Sequence, residues 1–262
     1  MDYLLNGYTD VGTTKATNQD SYMGQVVDTS IGRIAFGILC DGMGGLTNGE
    51  VASATVVNAF KKWIADYLPQ LCDESNAAGQ VSNDNAIVEG FTHLAQSLNE
   101  RIKAYGRQLR SNLGTTLVAI LITPQKFYVI NVGDSRAYLI DNGVTVITKD
   151  QTVVAREVEQ GRLTPEQAMV DPRRSVLLQC IGASDTVNPD IFIGDTSANA
   201  VYMLCSDGFR HEITEEEIYY RLNPSVILDK AGSEACMRDL VEACKARGER
   251  DNISCLLIRT IV

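Results

Sequence analysis

Long apolar runs are missing from this chain. Its most apolar stretches are Ile34–Cys40, Leu117–Ile122 and Val201–Cys205. All fall far short of the ~18 residues that a membrane-spanning helix needs, so no transmembrane segment is expected. Positive charge is also in short supply: 23 Lys plus Arg stand against 33 Asp plus Glu, a formal net charge of −10. A surface of that sign repels phosphate backbones and anionic lipid, which excludes nucleic-acid and membrane-surface roles unless a local basic patch exists, and none is visible. Any anionic substrate must be held by something other than net charge. Histidine is scarce, with only His93 and His211, too few for the His-rich metal sites of many hydrolases. The seven cysteines, Cys40, Cys72, Cys180, Cys205, Cys236, Cys244 and Cys255, include no C-x-x-C pair. An odd, scattered set lying mostly in apolar runs reads as reduced thiols and a cytoplasmic location. Met1–Asn6 has neither a basic leader nor an apolar segment, so the expectation is a mature start and not a secretory signal.

What is present suits a globular fold. The chain has 262 residues, 45% of them hydrophobic, enough for one core to bury roughly 70 to 75% of the unfolded surface. Strand-like runs occur at Leu4–Tyr8, Ser21–Val27, Arg33–Cys40, Thr115–Thr123, Lys126–Val132, Arg136–Ile140, Val144–Thr148, Ile191–Ile193, Val201–Cys205 and Ile253–Ile261. Thr123-Pro124-Gln125 and Asp141-Asn142-Gly143 read as hairpin turns, the Asn-Gly pair tolerating positive φ, so the strands they join must be antiparallel. Helical spacing appears at Val51–Leu68, Ile87–Leu109, Val153–Gln160, Glu215–Leu222 and Pro224–Ala246, while the polar Cys72–Asn85 reads as a loop. With no linker, repeat or low-complexity tract, the expectation is a single domain over 1–262 in which helices cover antiparallel sheets.

Four aspartates mark places where an apolar strand stops or starts. Asp41 follows Phe36–Cys40, Asp134 ends Phe127–Gly133, Asp207 follows Val201–Ser206, and Asp251 with Asn252 precedes Ile253–Leu257. Carboxylates brought together in a small volume must raise a pKa or recruit a cation, and an all-oxygen set favours Mg²⁺ or Mn²⁺ over Zn²⁺. The plainer alternative is Asp in its ordinary turn role after a strand. Between strand and helix, Gly42-Met43-Gly44-Gly45-Leu46-Thr47-Asn48-Gly49-Glu50 carries four glycines, which either let backbone groups approach a ligand or form a simple connector.

An ordered series of short motifs resembles the metal-dependent protein serine/threonine phosphatases of the PP2C (PPM) type in their bacterial form. They are Asn18-Gln19-Asp20; Asp41-Gly42-Met43-Gly44-Gly45 with Gly49-Glu50 and Ala52-Ser53; Gly114-Thr115-Thr116; Val132-Gly133-Asp134-Ser135-Arg136; Cys205-Ser206-Asp207-Gly208; and Asp251-Asn252. The resemblance implies an α+β fold, a four-layer α-β-β-α sandwich of two antiparallel sheets flanked by helices, with a small flap at about 150–182. It implies two Mn²⁺ or Mg²⁺ ions, with Asp41 bridging them and the Gly42 carbonyl, Asp207 and Asp251 completing the protein ligands. A third, weaker ion is implied at Asp134, and Asp20 matches an acidic position near the metal waters. The implied reaction is hydrolysis of phosphoserine and phosphothreonine by a hydroxide bridging the two ions. Asp41, Asp207 and Asp251 are then the catalytic carboxylates, and Lys15 joins them where the family usually has a phosphate-gripping Arg. The implied partners are phosphoproteins, among them a bacterial Ser/Thr kinase and its targets, acted on by a monomer.

Departures from the pattern have chemical weight. Lys15 can neutralise a phosphate but cannot make the planar bidentate contact of a guanidinium. Asp150-Gln151 stands where the family often has Asp-His, and Met43 replaces the histidine of animal relatives, which excludes a histidine acid there. In the flap, Thr164-Pro165 reads as an N-cap and N1 proline; Arg162, Arg173 and Arg174 are either substrate contacts or solubilising charges. His211 reads as a surface histidine at a helix start or as a group at the site's edge. Three rivals stand beside this reading: a cysteine phosphatase at Cys244–Arg250 (C-x5-R), a catalytically weak phosphoprotein-binding member of the same fold, and a phosphate loop at Gly7–Thr14, the last better read as strand and turn.

Overall fold

The computed structural model describes residues 1–43, 48–77 and 84–261, without the side chains of 74–77. Its strands are β1 (Asp2–Asp10), β2 (Ser21–Thr29), β3 (Gly32–Cys40), β4 (Leu117–Ile122), β5 (Lys126–Val132), β6 (Arg136–Ile140), β7 (Val144–Val146), β8 (Asp190–Asp195), β9 (Val201–Cys205) and β10 (Ile253–Ile261). The helices are α1 (Gly49–Asp66), α2 (Leu68–Ala77), α3 (Asp84–Leu109), α4 (Val153–Glu159), α5 (Pro165–Val170), α6 (Asp207–Arg210), α7 (Glu215–Leu222) and α8 (Lys230–Ala246). Two five-stranded antiparallel sheets run β1-β10-β9-β6-β7 and β2-β3-β4-β5-β8.

Side-chain alternation explains the layering. In β3, Phe36, Ile38 and Cys40 pack against α1 and α3, while Ala35 and Leu39 face the other sheet; in β10, Cys255 and Leu257 pack toward α6–α8, while Leu256 and Ile258 meet the opposite sheet. Strands buried on both faces read as continuous apolar runs, which is why β3, β4 and β10 are so apolar in sequence. Phe36, Phe60, Trp63 and Phe91 anchor α1 and α3 to β3 with ring centroids 5.2 to 6.4 Å apart. Each such aromatic pair adds about 0.5–1.5 kcal/mol beyond its burial. The expected α-β-β-α sandwich is the observed one.

Local differences have clear causes. Residues 72–77 of the expected loop Cys72–Asn85 belong to α2, whose inner face is made by buried Leu68 and Cys72 one turn apart; 84 and 85 open α3, and 78–83 lie outside the described residues. The helix expected from Pro224 starts at Lys230, where Asp229 caps it by accepting the Gly232 N–H at 2.7 Å. The Asp141–Gly143 turn forms, but neither Asn142 nor Gly143 has positive φ; the Asp141 N–H reaches the Gly143 carbonyl at 3.1 Å and its carboxylate accepts the Asn142 N–H. Gly7 lies inside β1, opposite Leu256, so no phosphate loop exists there. In the flap, Thr164 and Gln167 form a capping box at the start of α5 with Pro165 in its first turn, as expected.

Candidate metal centre

The antiparallel register sets Cys40 opposite Ser21 and Cys205 opposite both Cys255 and Arg136. Asp20, Asp41, Asp134, Asp207 and Asp251 therefore leave the sheets at neighbouring strand ends. Burial first, then the fields of Asp20, Asp207, Asp251 and Asp134, push the Asp41 carboxyl well above the usual carboxylate range, so the sequence-predicted aspartates share one electrostatic neighbourhood. Asp20 is pushed up to about 7, chiefly by burial, with a hydrogen bond from Ser254 opposing the shift and the charge of Asp207 adding to it. Burial also takes Asp134 up to about 7, helped by Asp207 and opposed by Arg210.

Backbone and hydroxyl contacts fix this end of the molecule. The Asp41 N–H donates to Thr116 Oγ1 at 2.9 Å, and the Asp41 carbonyl accepts from the Thr116 N–H and Thr115 Oγ1. Gly42 N–H donates to the Gln19 carbonyl at 3.1 Å, and a Cβ at Gly42 would lie 2.5 Å from the carbonyl oxygens of Gln19 and Gly49, so no side chain fits. Asp134 follows Gly133, whose φ of +105° only glycine adopts readily. Gln151 braces that turn, accepting the Gly133 N–H at 2.8 Å. Asn252 accepts the Gln19 N–H and donates to the Val11 carbonyl, tying the 11–19 loop to the start of β10. Gly44 and Gly45 lie outside the described residues.

Lys15 Nζ lies 2.8 Å from Asp251 Oδ1. Burial alone would lower its ammonium, but the hydrogen bond and charge of Asp251, backed by Asp41 and Asp207, raise it above its ordinary value. A cation thus already sits on one candidate ligand. Buried Asp20 Oδ1 and Asp207 Oδ1 have no hydrogen-bond partner, an expensive state for carboxylate oxygens that a hard cation relieves. Among the described residues no three His, Cys, Asp or Glu side chains close on one point. Oxygen donors, orphaned carboxylate oxygens and the Gly42 cradle together fit a hard divalent ion.

Two neighbours, Glu249 and Arg210, escaped the sequence reading, and of the two readings of His211 the structure supports the one at the site's edge. Glu249 accepts the N–H groups of Arg250 and Asp251 at 2.6 and 2.9 Å and pairs with His211 Nδ1 at 3.3 Å. Burial works against its charge, yet these bonds hold it down to about 2. His211 follows α6 and does not start a helix; its side chain is only 12% exposed and its Nε2 lies 3.8 Å from Asp207 Oδ2, so it belongs to the site's edge and not to the open surface. Arg210 reaches Asp134. The only sequence hints were proximity to Asp207 and Asp251.

A cavity of about 620 Å³ lies beside this cluster, between the flap and the β7 edge, with Arg136, Asp150, Arg174, Arg210 and His211 in its walls. Arg162 and Arg173 are paired within the flap, with Glu157 at 3.4 Å and Asp171 at 2.8 Å. The cysteine alternative fails on geometry: Cys244 is fully buried near the end of α8, its Sγ 3.5 Å from the Phe209 carbonyl, and burial pushes its thiol up to about 12.

Residues 12–257 match the sequence model of the family described as Protein phosphatase 2C. Serine/threonine protein phosphatase PstP of Mycobacterium tuberculosis is 32% identical over 248 residues, which are 94% of this chain but 42% of that protein; the chain thus spans less than half the length of this relative. Protein phosphatase PhpP of Streptococcus pneumoniae is 30% identical over 254 residues, covering 95% of this chain and 94% of PhpP. The crystal structure of the catalytic domain of serine threonine protein phosphatase PstP in complex with two manganese ions superposes with a TM-score of 0.75 at 27% identity, over 100% of both chains. A match running from residue 12 to residue 257 makes the assignment plain: the chain belongs to the protein phosphatase 2C family.

Proposed function

We propose that this chain hydrolyses phosphoserine and phosphothreonine in proteins with two divalent cations, Mn²⁺ or Mg²⁺, held by Asp41, the Gly42 carbonyl, Asp207 and Asp251. The observation that carries the reading is the convergence of strand-end carboxylates, two of them with an orphaned buried oxygen, around a glycine that admits no side chain. Bound there, such ions lower the pKa of water enough to supply a nucleophile for in-line attack on phosphorus near neutral pH. The protein's own groups do the rest. Lys15 stands over Asp251 and offers a phosphate oxygen a point charge. Glu249 fixes the Asp251 backbone, and His211 links Glu249 to the flank of Asp207. Met43 can donate no proton, so the leaving alkoxide takes its proton from water.

The same reading makes residues 1–262 one working unit, a cytoplasmic monomer that opposes a Ser/Thr kinase, with the 150–182 flap bordering the substrate. Among the described residues no helix is long and apolar enough to cross a membrane. The test is para-nitrophenyl phosphate turnover with Mn²⁺. Activity should vanish in EDTA, persist in Cys244→Ser and fall by about 10²-fold or more in Asp207→Asn. Turnover that survives EDTA, or that Cys244→Ser abolishes, would remove the metal reading; no turnover at all would leave a phosphoprotein-binding member of the fold.

A further inference from the structure

Two candidate ligands are paired with basic side chains, and the partners differ in kind. Lys15 is a flexible ammonium, 31% exposed, making one contact with Asp251. Arg210 is a guanidinium only 10% exposed and fixed by three contacts. Its Nε donates to the Asp134 carbonyl at 3.0 Å, and its Nη2 lies 3.2 Å from Asp134 Oδ2 and 3.3 Å from Asp150 Oδ2. Asp150 is gripped in turn by Arg136, whose Nε and Nη2 meet its two oxygens at 2.7 and 2.8 Å. Arg136, Asp134, Asp150 and Arg210 thus form one connected set of two guanidiniums and two carboxyl groups, largely withdrawn from water.

Such a set is closed to another cation. An ion arriving at Asp134 would face the fixed charge of Arg210 at contact range, in surroundings that screen it poorly. Displacing Arg210 would leave its charge, and part of that on Asp150, buried without a partner. A guanidinium also cannot shed its proton to make room.

We propose that Arg210 is a built-in substitute for a third metal ion, so that this chain takes up two divalent cations and not three. The proposal rests on reading Asp134 as the third-site carboxylate of a metal-dependent phosphatase. The guanidinium also has a mechanical effect. By holding Asp134 and Asp150 together it fixes the turn after β5 to the root of the flap, which a loosely bound ion would do only part of the time.

Counting ions tests it directly. Mn²⁺ alone is titrated into the full chain by calorimetry, with stoichiometry checked by native mass spectrometry, for wild type, Asp134→Asn, Arg210→Ala and Arg210→Gln, and for each Arg210 variant combined with Asp134→Asn. Wild type should bind two ions; Arg210→Ala should gain a third, at least tenfold weaker than the first two, which Asp134→Asn removes again. Arg210→Gln keeps a hydrogen-bond donor without the charge and serves if the alanine variant does not fold; a third ion is expected there too. Three ions on wild type, one of them lost in Asp134→Asn alone, would overturn the proposal, as would folded variants that stay at two. Wild type that binds no Mn²⁺ at all would overturn the metal reading itself, and this proposal with it.

Discussion

Lys15 shows how much one side chain decides. Its ammonium rests on Asp251 at 2.8 Å and is partly open to solvent, so it can turn toward a phosphate without leaving the cleft. A hydrogen bond to a charged group is worth about 1.5–3 kcal/mol, so Lys15→Ala should lower kcat/KM on a phosphopeptide by about tenfold or more. Lys15→Arg should lower KM, because a guanidinium can grip two phosphate oxygens at once. Steady-state kinetics with saturating Mn²⁺ checks both. At Gly42 the effect is steric: a methyl group 2.5 Å from two carbonyl oxygens forces the 41–43 backbone aside. Gly42→Ala should cost about 1–3 kcal/mol of stability, read by thermal melting, and weaken Mn²⁺ binding in calorimetry. The aspartates were legible in the sequence because each ends or begins an apolar strand. Arg210 and Glu249 were not, because their partners Asp134 and His211 lie 76 and 38 residues away and only the fold introduces them.

Among the elements, α7 carries a testable charge. Glu217 closes a capping box with Thr214 and accepts two bonds from Arg247, the first cause of its carboxyl being held down to about 2, below its ordinary value of 4.5. A depressed acid stabilises the fold above the unfolded-state pKa and loses that contribution as pH falls through the folded value. Glu217→Gln should therefore melt below wild type at pH 7, by a few degrees at most for a group this exposed, and the gap should close between about pH 4.5 and pH 2. Melting curves across that range decide it. Strands were readable because burial on both faces leaves a continuous apolar run, and long helices because burial on one face leaves a periodic trace. The short α2 was misread because its inward residues, Leu68, Leu71 and Cys72, all fall in its first half, and the sequence after them is polar. The start of α8 was misplaced because Ile227, fully buried before the helix begins, extends an apolar pattern past the Asp229 cap.

For the molecule as a whole, part of the acidic excess is gathered at one end of the sheets, where Asp20, Asp207, Asp251 and Asp134 act on Asp41. Cations that bind only the folded state should offset that repulsion. At about 100 times its Kd, Mn²⁺ adds about 2.7 kcal/mol. On a chain of this size that corresponds to roughly 5–10 °C in Tm. Differential scanning calorimetry should show this rise and its reversal by EDTA; an unchanged Tm in saturating Mn²⁺ would contradict the metal reading. The fold class was legible because both sheets and their covering helices follow from hydrophobic alternation, whereas the Arg136–Asp150–Arg210–Asp134 set, which joins the flap to the sheets, leaves no periodic trace.

The pairing of β1 with β10, from Asp2 opposite Ile261 to Asp10 opposite Ile253, has a consequence for biogenesis. As a ribosome threads the chain out, β1 has no strand partner until β10 has emerged, and Asp20 and Asp41 must wait equally long for Asp251. Contacts this distant along the chain close slowly. The carboxylate cluster around Asp41 is thus incomplete in any nascent fragment that has not yet delivered β10.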